Sequence, residues 1–450
     1  MNVQIGDIST KKISKTNKEH ILRVTNYKSG EKVTYQIVLL KGYVTNQNCI
    51  KSQQNIIVQQ EFYSVSPKNT FKALVKLQEG SNIISLNYCC QTINFELIYE
   101  VPRNKRRYVT PLYVVFQGHD GSFQTPAGQP NNPPVAIEKL QLNCQLIQTI
   151  LAEKLYETHQ KHLTFHLTEP KIFKSEINIE ESHNIDPSEL FHKLACEIEK
   201  SQYGSPDIKH IAFLSGMQYH GELYKEGMDY QEVIKITQQY IALGRGGLAV
   251  FHTACLYTWP ERLQDVIKAF LDETPINKQE LLDDSNYRGT FGTCYSTTLG
   301  SVLHELCHTF NLGHAEVGIM SRGFDDVRDI FLVDSVDAVE ADQRRGAHGI
   351  TDSTALHKSG AQILRYNKWF LPDERDLPFT LTFDSLHNVV QSSWGVRVVE
   401  VRSGDEEIMT QNFIYSVAKM NLQLQLSELK TKSKLFIQDS KGNWISQDIN

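Results

Sequence analysis

Two histidines four residues apart, a glutamate beside the first, and a third histidine six residues after the second single out the stretch 297–326. It reads His304-Glu305-Leu306-Cys307-His308-Thr309-Phe310-Asn311-Leu312-Gly313-His314 at its centre. Residues four apart share one face of an α-helix, and two imidazoles there can hold one Zn²⁺ at about 2.0–2.1 Å. Glu305 sits beside that face, where a carboxylate can hold water and act as general base. A catalytic zinc takes three protein ligands and keeps one position open, and His314 is the natural third ligand. The helix must then stop after about Phe310 so that the chain can turn back. Asn311 is among the few non-glycine residues that tolerate the left-handed conformation of such a turn, and Gly313 loosens the path further. Cys307 projects away from the histidine face and is expected to pack. A structural zinc site would more often carry four protein ligands and more cysteine. A structural zinc, an inactive descendant and a metal-free protein remain the alternatives to a catalytic zinc.

The rest of the 450-residue chain has to build a cleft around that stretch. Residues 1–105 read as a small antiparallel β-sandwich, with β-branched and aromatic runs such as TYQIVLL, FKALVKL and NIISLNY separated by turn residues. Bracing the central part is the expected role for this region, with ligand binding as the alternative. Residues 106–372 alternate strand and helix. Strands are expected at 111–116, 163–167, 210–215 and 248–256, the last at a sheet edge because His252 and Thr253 interrupt its apolar pattern. Helices are expected at 135–158 and at Pro187–Lys200, the second capped by Asp186 with proline at its first position. A further helix is expected from Trp259 to about Leu271 and another over 353–367, with a polar surface excursion at 272–288 and polar loops over 325–354. The order is that of an α/β (α+β) domain with a largely parallel, mixed sheet. In Gly244-Arg245-Gly246-Gly247 the glycines signal a tight turn or a close backbone approach. Residues 373–450 return to β and form a piece too small to be stable alone, expected to pack on a neighbour.

Composition narrows the function classes. A net charge of −6 and a single basic cluster, Arg103-Asn104-Lys105-Arg106-Arg107, argue against nucleic acid as a partner; the cluster reads as a solvated linker. No apolar run reaches the ~20 residues of a membrane span, and the first residues lack the apolar core of a secretory signal. The chain is therefore expected to be cytoplasmic. Its 8 cysteines are dispersed, with no C-x-x-C pair, and are expected to be mostly reduced, buried hydrophobes. Among the other histidines, His119 and His252 could line the cleft, while His210, His220, His348 and His357 have no ligand spacing.

His304-Glu305-x-x-His308-x-x-Asn311-x-x-His314 resembles the metzincin signature H-E-x-x-H-x-x-G-x-x-H, with Asn311 at the glycine position. Gly318-Ile319-Met320-Ser321 resembles the metzincin Met-turn. The longer phrase GTCYSTTLGSVLHELCHTFNLGH with GIMSRGFDD is similar to a eukaryotic family of proposed zinc metallopeptidases, and the likeness spans about Tyr108 to Leu371. The resemblance implies a metzincin-like catalytic domain: an upper α/β subdomain above a horizontal cleft, the active-site helix at its base, and the strand at 248–256 pairing with an extended substrate. Two departures stand out. The Met-turn follows His314 by only a few residues, and Arg322 stands where some metzincins have a tyrosine that helps the metal or the oxyanion.

The function expected from these readings is peptide-bond hydrolysis by a zinc metalloendopeptidase acting on a peptide or protein substrate. One Zn²⁺ on His304, His308 and His314 would polarise the scissile carbonyl and acidify water. Glu305 would take the proton and pass it to the leaving amine. The competing reading is a zinc-stabilised binding protein for a glycan or protein ligand, with little or no catalysis. Oligomeric state is not legible.

Overall fold

The structure is a computed structural model, and it describes residues 21–45, 54–103, 105–333, 354–371, 376–426 and 432–449. The first region contains strands β1 (Ile21–Val24), β2 (Glu31–Val33), β3 (Ile37–Thr45), β4 (Asn55–Val58), β5 (Glu61–Ser64), β6 (Thr70–Lys76), β7 (Gly80–Tyr88) and β8 (Gln91–Tyr99). They form two sheets, β1-β3-β6 and β2-β8-β7-β4-β5. Alternating apolar residues, among them Val38, Leu40, Val75, Ile84 and Leu86, meet between them. The expected all-antiparallel pairing fails at one place, where β2 runs parallel to β8. Strands joined by a tight turn must be antiparallel, but these two are distant in sequence and free to align either way.

The opposite face of β3 packs on helix α1 (Pro133–His159), which starts from the Asn132 cap. Ile37, Leu39 and Leu74 share one core with Leu140, Ile147 and Ile150 of α1 and with Leu299 and Leu303 of the histidine-bearing helix. The same seam holds a buried polar network. Glu153 of α1, fully buried, accepts hydrogen bonds from Asn26 and Tyr27 and an ion pair from Lys41 at 2.9 Å. His162 stacks between Tyr27 and Tyr156, with ring nitrogens 3.1 Å from Glu31 and 3.3 Å from Glu153. The N-terminal sheets therefore brace the helix that supports the site.

The central sheet has the order β10-β9-β11-β15-β14. It is built from β9 (Tyr108–Gln117), β10 (Lys171–Asn178), β11 (Ile208–Leu214), β14 (Ala242–Arg245) and β15 (Leu248–His252), with the short pair β12 (Gln218–Tyr219) and β13 (Thr237–Gln238) apart from it. Between β10 and β11 lie α2 (Ile179–Asn184) and α3 (Pro187–Lys200), and α4 (Tyr230–Lys235) follows β12. α3 has the expected bounds and the Asp186 cap, whose carboxylate accepts from Ser188 N–H. The first four strands of the sheet order are parallel and β14 is antiparallel to β15.

Several expectations are corrected here. Residues 163–167 form no strand and contribute one bridge, Leu167 to Val109. The second parallel strand is β10, hidden in the sequence because Lys174 and Glu176 line its exposed side and Lys171 stands exposed at its start. The edge strand is β14, not 248–256, because the glycine-rich turn folds 242–245 back onto β15. The helix after Trp259 is only a 3₁₀ turn and the short α5 (Val266–Phe270). The stretch 272–288 is not a surface excursion: Ile276, Leu281 and Leu282 pack with Met217 and Tyr257. Arg107 is buried rather than solvated, and both it and the exposed Arg106 pair with Asp207 and Asp376. Cys144, Cys255, Cys294 and Cys307 are buried thiols as expected, but Cys90 and Cys196 are exposed and Cys89 is disulfide-bonded.

α6 (Phe291–Thr309) carries the histidine motif and is followed by α7 (Arg328–Phe331) and α8 (Lys358–Tyr366), shorter than the expected 353–367. Most of the polar stretch before α8, including His348, lies outside the described residues. The C-terminal sheet contains β16 (Leu381–Asp384), β17 (Val389–Ser403), β18 (Ile408–Gln423), β19 (Ser433–Asp439) and β20 (Trp444–Ile449), with β17 paired to β16, β18 and β19. Among the described residues, no helix is long and apolar enough to cross a membrane.

Lys209 gives the fold a pH signature. It is buried on β11, donates to the Gly246 carbonyl at 3.2 Å and lies 4.2 Å from the centre of the Trp369 ring. Burial pushes its amine down from the ordinary 10.5 to about 7. Between those values the unfolded chain holds a proton that the folded chain has released, so stability rises with pH across that window. Lys209→Met is expected to flatten this rise. Denaturant melts of parent and variant at both ends of the window check it; parallel curves would refute it.

Candidate metal centre

α6 starts from a capping box in which Thr290 and Thr293 satisfy each other's backbone N–H groups. The helix ends at Thr309, and Asn311 takes the left-handed conformation with φ of 69°. Leu312 N–H then bonds back to the Cys307 carbonyl at 3.1 Å, and the chain reverses towards His314. Asn311 is thus at the position the sequence marks for the turn. Asn311→Val is expected to destabilise the fold by about 1–2 kcal/mol, the cost of a left-handed residue with a branched Cβ. Asn311→Gly should be tolerated. Chemical denaturation midpoints of the two variants check the pair.

The structure brings together all three expected ligands. One nitrogen from each of His304, His308 and His314 lies within 4.8 Å of the others, and among the described residues this is the one such group of three or more potential ligands. Each ring is held by a main-chain carbonyl. His304 Nδ1–H donates to Ile319 O at 2.7 Å, His308 Nδ1–H to Leu312 O at 2.8 Å, and His314 Nδ1–H to Glu406 O. A proton on each Nδ1 leaves each Nε2 with a lone pair. Burial, reinforced by the neighbouring imidazoles, pushes His304 down to about 3 and His308 down to about 4. Both are therefore neutral at neutral pH, with Nε2 atoms 3.1 Å apart. Two buried lone pairs at that separation repel unless a cation lies between them. The donor set suits zinc, which favours neutral imidazole.

Glu305 points towards β14. Its Oε2 accepts the Gly244 N–H at 2.6 Å. Burial pushes the carboxyl up to about 7, opposed by that hydrogen bond. A nearby cation would draw it back towards the ionised form. Because Ile241 O bonds to His252 N–H, the alternate residues Ala242 and Gly244 turn their backbone groups away from β15. Gly244 also meets the α6 backbone so closely that a Cβ there would overlap the Glu305 carbonyl.

The segment 318–321 lies against the site, and its contact with His304 is through the Ile319 carbonyl. Met320 is buried in the main core. Arg322 pairs with Asp325 and lies 4.8 Å from the Phe324 ring, which in turn meets the His304 ring at 5.1 Å. Of the two further histidines considered for the cleft, His252 faces Tyr240 and Asp284, and His119 accepts from Gly121 N–H. Neither joins the triad.

The residues missed in the sequence are mainly backbone donors and acceptors: the carbonyls of Leu312, Ile319 and Glu406, which leave no signature in residue type. Gly244 did leave one, in the glycine run that signals close approach.

A helix-borne pair of histidines with a third on the following turn is a donor set able to hold a zinc ion. The chain belongs to the family described as "Putative peptidase family", whose sequence profile matches residues 21–409. A protein of Saccharomyces cerevisiae named "Putative zinc metalloproteinase" is 24% identical over 344 residues, covering 68% of this chain and 48% of its own length. One of Schizosaccharomyces pombe with the same name is 23% identical over 393 residues, covering 80% of this chain and 61% of its own. The chain thus spans about half to three fifths of the length of these relatives. Among solved structures, OgpA from Akkermansia muciniphila matches 77% of this chain and 94% of its own, with a TM-score of 0.42 and 10% identity. The catalytically inactive form of OgpA in complex with an O-glycopeptide substrate matches with a TM-score of 0.43, likewise at 10% identity, over 77% of this chain and 93% of its own.

Proposed function

We propose that this chain is a zinc-dependent peptidase of metzincin type that hydrolyses peptide bonds within a peptide or protein substrate. The observation that carries the reading is the convergence of three carbonyl-anchored imidazoles on α6 and the turn after it, with the Glu305 carboxyl of the same helix held by the edge strand β14. His304, His308 and His314 would hold a single zinc ion, which supplies a Lewis acid that polarises the scissile carbonyl and acidifies water. Glu305 accepts the proton of the attacking water and delivers it to the leaving amine. Gly244 N–H holds the carboxylate in place. The remaining outward backbone groups of β14, those of Ala242 and the Gly244 carbonyl, align an extended substrate by adding a strand to the sheet.

The test is metal content together with cleavage of a denatured-protein or peptide library, with and without chelator. Chelator-sensitive cleavage and bound zinc are expected, and the new termini show whether cuts are internal. Zinc without cleavage across a broad library would overturn the peptidase reading in favour of a zinc-stabilised binding protein.

A further inference from the structure

The third histidine is held differently from the other two. His304 and His308 are anchored by carbonyls of the same central region, at Ile319 and Leu312, within 15 residues. His314 is anchored from the C-terminal sheet, 92 residues away in sequence, by the Glu406 carbonyl in the 404–407 turn between β17 and β18. The contact continues along the backbone. Met409 N–H donates to the His314 carbonyl at 2.9 Å, and His314 forms a bridge with Ile408 at the start of β18.

Arg402, at the end of β17, ties this turn to the end of α6. Its side chain is nearly fully buried, and Nη2–H donates to the Asn311 carbonyl at 2.6 Å. Other donors of the same guanidinium bond Glu400 at 2.7 and 2.9 Å and Glu407 at 3.2 Å. Its Cζ lies 4.3 Å from the centre of the Phe436 ring. Gly313 fits only because it lacks a side chain, since a Cβ would come within 2.7 Å of Glu407 O and 2.8 Å of Arg402 Nε. The C-terminal sheet is therefore built onto the Asn311–His314 turn with hydrogen bonds and a close backbone approach, and the Arg402 side chain that reaches the turn is itself fixed by its ion pair with Glu400.

From this we infer that the β17–β18 turn and Arg402 form the positioning element for the third metal ligand, so that the C-terminal sheet is an integral part of the metal centre. The inference rests on the zinc reading above. Its physical basis is that a surface imidazole on a turn has free rotamers. Fixing its ring and tautomer through Nδ1–H removes that freedom before the metal arrives. Outer partners of this kind typically change metal affinity by about 10–100-fold.

Two variants test it. Arg402→Met alone would leave Glu400 buried without its cation, so the double variant Arg402→Met with Glu400→Gln is used. The second variant replaces residues 404–407 by Asn-Gly, a two-residue turn that keeps a hairpin closed while removing the Glu406 carbonyl. The readouts are the zinc dissociation constant by chelator competition, the visible spectrum of the Co²⁺-loaded protein, and the thermal melt of the metal-free protein. Zinc affinity is expected to fall about 10–100-fold in both variants, with a changed Co²⁺ spectrum and a turn-variant melt close to that of the parent. A purely structural role for the sheet would shift the melt and leave the spectrum alone. Variants that bind zinc within twofold of the parent, with superimposable Co²⁺ spectra, would overturn the inference. A parent chain that binds no zinc would overturn the zinc reading itself, and this inference with it.

Discussion

Glu305→Ala is expected to retain zinc and to lose peptide turnover by about 10²–10⁴-fold, the usual contribution of a positioned general base. The carboxylate is not among the three converging imidazoles, so its removal takes nothing from the ligand set. It does remove the group proposed to move a proton between water and leaving amine. The fold should hold, because the lost contact is one hydrogen bond, to Gly244 N–H, and alanine favours the helix. Zinc content, thermal melts and single-turnover cleavage measured on the same preparation separate these effects. Cleavage at the parent rate would remove Glu305 from the mechanism. Loss of zinc with loss of cleavage would make it part of the metal site instead.

Gly244→Ala is expected to have a comparable effect on activity by a different route. The added methyl would overlap the carbonyl of Glu305, and neither the helix backbone nor the strand can rotate away as a side chain would. β14 has to lift from α6, at a cost of about 1–3 kcal/mol or more by the measure of overpacked cores. The Gly244 N–H then no longer reaches the carboxylate, and the strand proposed to align the substrate is displaced from the site. Gly247→Ala in the same glycine run is the control, since the nearest atom to its Cβ would be Ile208 O at 3.8 Å, an ordinary contact. Melting temperatures and kcat/KM of the two variants check the contrast. Equal behaviour would mean that the approach of β14 to α6 is not the constraint it is taken to be.

The two substitutions probe different levels of information. The i, i+4 histidines, the adjacent glutamate and Asn311 depend on helix geometry and on one residue's tolerance of positive φ. Both are local properties, and a reader of the chain recovers them without coordinates. The same holds for α3, where Asp186 and Pro187 start a helix with its apolar stripe at helical spacing. β10 was not legible because the charged residues on its exposed side gave it the look of a loop. The edge position of β14 was not legible because it depends on which strand folds back, a matter of pairing rather than residue type.

By itself, the sequence determined that this chain has a helix able to present two imidazoles and a carboxylate together, a turn able to return a third imidazole, and an α/β frame between two β regions. Only the tertiary structure decided how those side chains are held. Three main-chain carbonyls orient the rings, one of them from a turn 92 residues beyond His314, and a strand N–H holds the glutamate. The reason is physical: every residue carries a carbonyl, and all but proline carry an N–H. Which of these meets a given side chain is set by long-range packing, and that leaves no mark in the order of amino acids.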